Sequence, residues 1–486
     1  MPISPKLTLE AASANLAEIA PPYTPQEAAI EASRCLFCFD APCIQACPTG
    51  IDVPSFIKKI TTGNLTGSAR AILSANILGA SCARVCPTEV LCEGACVMLD
   101  REGDPVKIGR LQRYATDQVL EKKQSILRVP AKKSGKRVAV IGGGPAGLGC
   151  AAELAQLGHQ VIVFEKKPNA GGLNTYGIAY YKMKPEVSLQ EVEMIRGLGV
   201  EFRCGIEVGK DISHETIQKE FDAVFLGLGL GKGARLNVPG EDLPEVIEAL
   251  DFIEQVHTLP LHEVPVGERV AVIGGGNTAI DAVTQAKRLG ARDAVIVYRR
   301  SQEEMPAYDF EQELAKRDGA RFLFNVAPLE ILSNGTGHVT GLKLARVASA
   351  NGKLQILAGT EFVEPFDMVI KAIGEEKQAA LFKKLLPALE LDRRGVVVSN
   401  PDTGQTNIPR VFTGGDCANG GREVVNAVAE GKKAARGIHA LFAGGVVIGP
   451  VQPSRYGVKG EPLGAGFEKP IRVRELEAEY AKQTRT

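Results

Sequence analysis

Residues 35–53 read CLFCFDAPCIQACPTGIDV, so four thiols, Cys35, Cys38, Cys43 and Cys47, fall within thirteen residues and Pro48 follows the last. A second quartet, Cys82, Cys86, Cys92 and Cys96, comes shortly after. Thiols crowded in this way bind metal. Two zinc ions, each held by four thiolates, would use all eight. The spacing C-x2-C-x4-C-x3-C-P, however, is closer to ferredoxin-type runs, in which one cysteine of a run serves a different cluster. Zinc is redox-inactive, whereas a chain that also handles nucleotides gains from one-electron carriers, so iron–sulfur clusters are the expectation. Spacing alone leaves open which thiol joins which cluster. Disulfides are not expected in a reducing compartment. Cys150, Cys204 and Cys417 lie outside the field and read as ordinary packed or flanking residues.

Glycines supply the second chemistry. In VAVIGGGPAGLGC, which starts at Val138, Gly142, Gly144 and Gly147 follow a strand-like run and open a helix. The first permits a tight turn, the second lets the backbone approach a pyrophosphate, and the phosphate sits on the helix N-terminus. Glu165 ends the next strand, 23 residues after Gly142, where an acid accepts from a ribose 2′-OH. The grammar returns at Val270 in VAVIGGGNTAIDAV, with Gly274, Gly276 and Ala279. There the following strand ends in Arg299 and Arg300 instead of an acid. Two guanidinium groups suit the 2′-phosphate of NADP by charge and bidentate geometry.

Other chemistries have little support. The six histidines show no ligand-like spacing, and no nucleophile–base set or carboxylate pair stands out. Lys plus Arg equals Asp plus Glu at 57 each, so a strongly basic nucleic-acid surface is not suggested. The N-terminus has no apolar signal region, and ALFAGGVVIGPV is too short and too broken to span a bilayer. A soluble cytoplasmic protein is expected.

The elements that position these groups follow from periodicity. PQEAAIEASRCL, VPSFIKKI and GSARAILSANI carry helical spacing, so the cysteine field should be a small helical unit. Two strand–glycine turn–helix–strand modules follow as an internal repeat. A late signal, IPRVFTGGDCANGGREVVNAVAEGKKAARGIHALF, reads as a strand, a Gly-Gly-Asp turn and a long helix. The segment 446–486 is Pro/Gly-rich and then charged.

The late TGGDC motif gives the chain the look of the two-dinucleotide-domain flavoprotein reductases, which implies FAD at the first module. Asp416 would face the ribityl-phosphate region, and the turn Arg422–Val425 would begin a helix aimed at the flavin ring. With the 35–96 field and VKIGRLQRYATDQ ahead of these modules, the chain to about residue 443 closely resembles the N-terminal half of dihydropyrimidine dehydrogenase. The resemblance implies an α/β chain: a helical bis-[4Fe-4S] domain over 1–135, an FAD domain over 136–250 plus 375–445, an inserted Rossmann-like NAD(P)H domain over 251–374, and an extended tail over 446–486. It implies one [4Fe-4S] cluster on Cys35, Cys38, Cys43 and Cys96. The other would take Cys47, Cys86, Cys92 and Gln112, the last lying 16 residues after Cys96, with Cys82 left as a non-ligand. An amide in place of a thiolate removes one negative charge and should raise that cluster's potential. The small subunit of glutamate synthase shares the layout but is less similar around GRLQRYAT.

The same resemblance assigns contacts. Gly142, Gly143, Gly144, Pro145, Ala146, Glu165, Gly171, Gly172, Leu173, Lys182, Val208, Gly415, Asp416 and Val424 match FAD-binding stretches. Gly275, Gly276, Asn277, Thr278, Arg299, Arg300, Ala372, Ile373 and Gly374 match NADP-binding ones. A further arginine of the longer family members is missing where SQEEMP follows Arg300, and bacterial two-subunit relatives use NADH. NADPH and NADH therefore both stay open, the arginines favouring NADPH. No side-chain acid or base is named; catalysis is expected to be the positioning of nicotinamide against flavin. The chain stops where the family's FMN barrel would begin, which implies a partner subunit with FMN, further iron–sulfur clusters and the pyrimidine pocket. The tail after about 445 is a candidate docking strap. A glutamate synthase subunit is the alternative, and a non-catalytic scaffold is opposed by two intact glycine fingerprints.

Overall fold

The computed structural model describes residues 7–350 and 353–444, so the expected tail at 446–486 lies outside the described residues. Among the described residues the first 136 form helices and turns with no strand. Local chemistry sets several of these helices. Thr24 and Glu27 form a reciprocal capping box ahead of Pro25–Ser33. Asp52 caps Val53–Thr61, and Asn64 caps Leu65–Ala75. The inner faces of these helices meet Ile108–Glu121 in a core that includes Phe56, Ile57, Ile72, Leu111 and Ala115.

The strands of the remainder are β1 (Arg137–Ile141), β2 (Gln160–Glu165), β3 (Glu201–Cys204), β4 (Ala223–Leu226), β5 (Val246–Glu248), β6 (Arg269–Ile273), β7 (Asp293–Tyr298), β8 (Arg321–Phe324), β9 (Val326–Ser333), β10 (Val339–Ala350), β11 (Lys353–Ile356), β12 (Phe362–Glu364), β13 (Met368–Lys371) and β14 (Val411–Thr413). The first sheet has the order β14-β4-β1-β2-β3 and is parallel throughout. The second, β5-β13-β6-β7-β8, is also parallel throughout. It is threaded between β4 and β14, so the fold is α/β with one Rossmann-like unit inside another.

The parallel strands β1, β2, β4, β6, β7, β13 and β14 are buried on both faces, as expected of apolar β-branched runs, whereas β3, β5 and β8 at sheet edges are only partly covered. On one side of the first sheet, Val138, Val140, Val161 and Val163 pack with the helices Pro145–Gln156 and Val424–Ala443. The same cluster takes in Leu73, Ile77 and Leu78, so the helical unit docks directly on the first nucleotide module. Ala139, Ile141, Ile162 and Phe164 face Phe382, Leu385 and Leu389 on the other side.

The second sheet differs from the sequence expectation. One face meets the helix Asn277–Arg288 through Ile280, Val283 and Ala286. Its other face is covered by the antiparallel set β9–β12, whose Val326, Ile331, Leu342 and Leu344 pack on Ala271, Val295 and Val369. Antiparallel strands with one buried face normally alternate apolar and polar residues, but register shifts between Val339 and Gly341 and between Lys343 and Leu344 break that period here.

Candidate functional site

The cysteines of the two runs sort into two groups in space. Cys35, Cys38, Cys43 and Cys96 line one cavity with apolar neighbours such as Val53, Ile57 and Ile108. Burial, then the neighbouring Cys35, Cys96 and Cys38, pushes the Cys43 thiol up to about 12. The second group is Cys47, Cys86 and Cys92, with Cys82 beside them. Cys86 is held far above the usual thiol range by a hydrogen bond with Cys82, by burial, and by Cys82, Cys92 and Cys47. All eleven cysteines are free thiols. Four thiolates together repel strongly, and a cationic iron–sulfur core removes that cost. Among the described residues no three Cys, His, Asp or Glu side chains converge on a single-ion site. Four thiols drawn from both runs line one cavity, the donor set that a [4Fe-4S] cluster takes.

Gln112 sits in the buried face of the Ile108 helix. Its Nε2 donates to Gly79 O at 2.7 Å, which leaves Oε1 as the amide's ligating atom. Gly79 opens the short helix Gly79–Val85, which carries Cys82 and ends on Cys86. Cys82, expected as a non-ligand, is buried on that helix one turn before Cys86.

At the first nucleotide module the backbone leaves no room for a side chain at Gly142 or Gly147. Gly142 has φ +100°, and a Cβ there would lie 2.3 Å from Gly227 O. The Pro145 helix starts at Gly144 with no side-chain cap, so its first N–H groups are free for a phosphate. Glu165 lies at the end of β2, next to that turn. Its Oε2 accepts from Gly143 N–H at 2.8 Å and its Oε1 from Lys167 N–H at 2.9 Å, leaving lone pairs for a ribose hydroxyl. Gly172 and Leu173 sit against this turn, with Gly172 Cα near Gly144. After β14, Gly415 leads into Asp416, whose Oδ1 accepts from Arg422 N–H at 3.2 Å. Burial raises the Asp416 carboxyl above its ordinary range. Val424 then begins a 20-residue helix with no side-chain cap. This helix crosses the Pro145 helix at backbone contact: a Cβ on Gly431 would lie 2.0 Å from Ala146 O. Val208 is buried just after β3, in the cluster that holds Phe164.

The second module repeats the pattern. Gly274 has φ +144°, and a Cβ there would lie 2.1 Å from Ala372 O. Gly275 lies against the Tyr298 ring, and Gly276 precedes the Asn277 helix, again with no side-chain cap. Thr278 is in its first turn. Asn277 Oδ1 accepts from Tyr308 N–H at 3.1 Å. Ala372, Ile373 and Gly374 follow β13, and Ile373 is exposed. Arg299 and Arg300 are exposed directly after β7. Neither guanidinium group is tied to a carboxylate or carbonyl among the described residues, so both are available to a phosphate.

Lys182 sits apart from the other FAD-matched positions. Its Nζ lies 2.7 Å from Asp281 Oδ1 and 2.6 Å from Glu311 Oε1, both carboxylates buried and the lysine largely so. Burial alone would lower the ammonium, but Asp281 and Glu311 outweigh it and hold it up. Glu311, buried and near Asp281, rises above the usual carboxylate range despite Lys182. Tyr308 Oη donates to Glu423 Oε1 at 2.8 Å. These two ties join the modules at the start of the Val424 helix. Asp281 lies one turn into the fingerprint helix and could have been suspected; Glu311, Tyr308 and Glu423 carry no motif. Glu191 was also missed: it accepts from Ala80 and Ser81 N–H at 2.8 and 3.0 Å and fastens the Gly79 helix to the flavin module.

Residues 12–124 match the family described as dihydropyrimidine dehydrogenase domain II, 4Fe-4S cluster, and residues 136–431 match the pyridine nucleotide-disulphide oxidoreductases. The chain is 36% identical over 455 residues to the glutamate synthase [NADPH] small chain of Escherichia coli K12, covering 89% of this chain and 95% of that one. It is 34% identical over 429 residues to the NAD-dependent dihydropyrimidine dehydrogenase subunit PreT of the same organism, covering 88% and 98%. Among solved structures, FprA of Mycobacterium tuberculosis in complex with NADPH shares the fold at 22% identity and a TM-score of 0.52, over 64% of this chain and 85% of that one. Among the described residues no helix is long and apolar enough to cross a membrane.

Proposed function

This chain belongs to the pyridine nucleotide-disulphide oxidoreductase family, as an FAD- and [4Fe-4S]-dependent NAD(P)H oxidoreductase, and we propose that it is the electron-input subunit of a dihydropyrimidine dehydrogenase. In this reading it oxidises NAD(P)H in the cytoplasm and delivers the electrons to a partner FMN and iron–sulfur subunit. That partner reduces uracil or thymine to the 5,6-dihydropyrimidine. When bound, FAD accepts a hydride and releases electrons singly, and the clusters carry them one at a time.

The chain's own residues bind and orient. The uncapped helix starts at Pro145 and Asn277 receive the two pyrophosphates. Glu165 accepts from the flavin nucleotide's ribose, and Arg299 and Arg300 take a 2′-phosphate. The ties of Lys182 to Asp281 and Glu311 and of Tyr308 to Glu423 fix the second module over the first. Cys35, Cys38, Cys43 and Cys96 would hold one cluster; Cys47, Cys86, Cys92 and Gln112 would hold the other.

The observation that carries the reading is Gln112: buried, pinned through Nε2 to the Gly79 carbonyl that opens the helix ending at Cys86, and so left with its own carbonyl oxygen to serve as a ligand. The similarity to the glutamate synthase small chain favours a second reading, in which the same electrons go to a glutamine-dependent large subunit. Co-purification and assay separate the two. NAD(P)H-dependent uracil reduction on adding an FMN partner supports the first. Capture of a glutamine-dependent subunit, with no uracil reduction by any FMN partner, replaces it with the second.

A further inference from the structure

Lys432 is a buried ammonium that none of the binding steps above uses. It lies eight residues into the Val424 helix, about 12 Å along the axis from the end assigned to the flavin. Its Nζ donates to Ala75 O at 2.5 Å and Ser74 O at 3.1 Å, the last carbonyls of the helix Leu65–Ala75. The chain then runs through Ile77 and Leu78, packed in one cluster with Ala434, Ala435 and Ile438 of the Val424 helix. It enters the Gly79 helix, which carries Cys82 and ends on Cys86 and whose first carbonyl holds Gln112. Lys432 therefore touches the backbone that leads into the second thiol group. Burial lowers the Lys432 ammonium below the ordinary lysine range, and Glu153 and, more weakly, Cys47 of the same thiol group act to hold its proton on. One carboxylate opposes it, Glu153 Oε2 at 3.7 Å, and that carboxylate is shared with Arg436 at 2.9 Å.

We propose that Lys432 sets the reduction potential of the cluster held by Cys47, Cys86, Cys92 and Gln112, by placing a buried positive charge on the flavin side of it. The inference rests on the proposed cluster ligation and extends it to a residue that touches no cofactor. Adding an electron to a cluster adds a negative charge, and a nearby cation in a medium of low dielectric favours that state. Two properties of the second cluster then act in one direction: a neutral amide in place of a thiolate, and an ammonium contributed by the flavin module. A helix that starts at the flavin and sets a lysine on the backbone leading into the second thiol group biases the electron toward that cluster. Capping two carbonyls explains a polar group at this position, but a neutral amide could do that without the cost of burying a charge.

The test is an anaerobic redox titration of the purified holoprotein, followed by electron paramagnetic resonance, on wild type, Lys432→Gln and Lys432→Arg. Lys432→Gln should lower the potential of one cluster so that its reduced-to-oxidised ratio falls at least tenfold, about 59 mV for one electron. The other cluster should not move, and Lys432→Arg should restore the wild-type value. Unchanged potentials in Lys432→Gln, with full iron content, overturn the inference. If Lys432→Gln loses iron, Glu153→Gln decides. Removing the opposing carboxylate should raise the same cluster's potential, and no change or a fall overturns the inference. Iron-free wild-type protein would instead remove the cluster assignment itself, so the two failures are distinguishable.

Discussion

Lys182 Nζ lies 2.7 Å from Asp281 Oδ1, and this buried pair joins the strand-linking segment of one nucleotide module to the fingerprint helix of the other. Asp281 also accepts from Tyr181 Oη at 3.0 Å. With Glu311 as the second carboxylate on Lys182, the tie holds two charges against one. Removing the ammonium leaves both carboxylates buried and unpaired, which typically costs about 3–5 kcal/mol. Lys182→Met should lower the melting temperature and slow NAD(P)H-dependent flavin reduction, because the second module loses its fixed pose. Stopped-flow absorbance at the flavin band and a thermal melt check both. Wild-type values in both would mean that the modules are held elsewhere.

Arg299→Ala should raise the KM for NADPH far more than that for NADH. The guanidinium is exposed and free of intramolecular partners among the described residues, so its loss removes a phosphate contact without disturbing the fold. Charge-assisted hydrogen bonds of this kind contribute about 1.5–3 kcal/mol, which corresponds to a KM ratio of roughly 10–150. Equal effects on the two nucleotides would remove the 2′-phosphate assignment.

Glu191 gives the molecule a pH dependence of known sign. Burial, opposed by its bonds from Ser81 and Ala80, raises its carboxyl to about 7 in the folded protein, against 4.5 unfolded. The folded state thus binds the proton more tightly, and the group's penalty is absent below pH 4.5. It grows between about 4.5 and 7 and is complete above 7, reaching about 3 kcal/mol. Glu191→Gln should flatten that part of the stability profile. Melting curves of the two proteins from pH 5 to 8 should converge at the acid end and separate at the alkaline end, with the variant gaining relative to wild type.

Gln112→Cys adds one thiolate to the second cluster and should lower its potential while leaving iron content intact. Electron paramagnetic resonance during a redox titration reads the shift. An unchanged or raised potential would argue that Gln112 is only a helix residue bonded to Gly79.

Much of this site was legible in the sequence because its chemistry is short-range. The glycine turns, the acid at Glu165, the arginines after β7 and the two cysteine runs each declare themselves through spacing of under thirty residues. The spatial sorting of thiols from both runs was not legible from spacing and came only through family resemblance. The Lys182 contacts were hidden for the same reason: Asp281 and Glu311 lie about a hundred residues or more away in the chain, and no pattern announces a contact across two modules. The antiparallel layer β9–β12 escaped because its strands replace a helix on one face of the second sheet.

Placing β14 beside β4 has a consequence for synthesis. The two strands pair in register, Val411 with Val224 and Thr413 with Leu226, although 187 residues separate each couple. During translation β4 is therefore left as an open edge, its backbone donors and acceptors unmet, until the whole second module has emerged from the ribosome. The inner module can finish folding while the outer one waits. A nascent chain stalled shortly before Val411 should thus present a complete nicotinamide-nucleotide unit next to an unfinished flavin unit, and chaperone engagement should concentrate there.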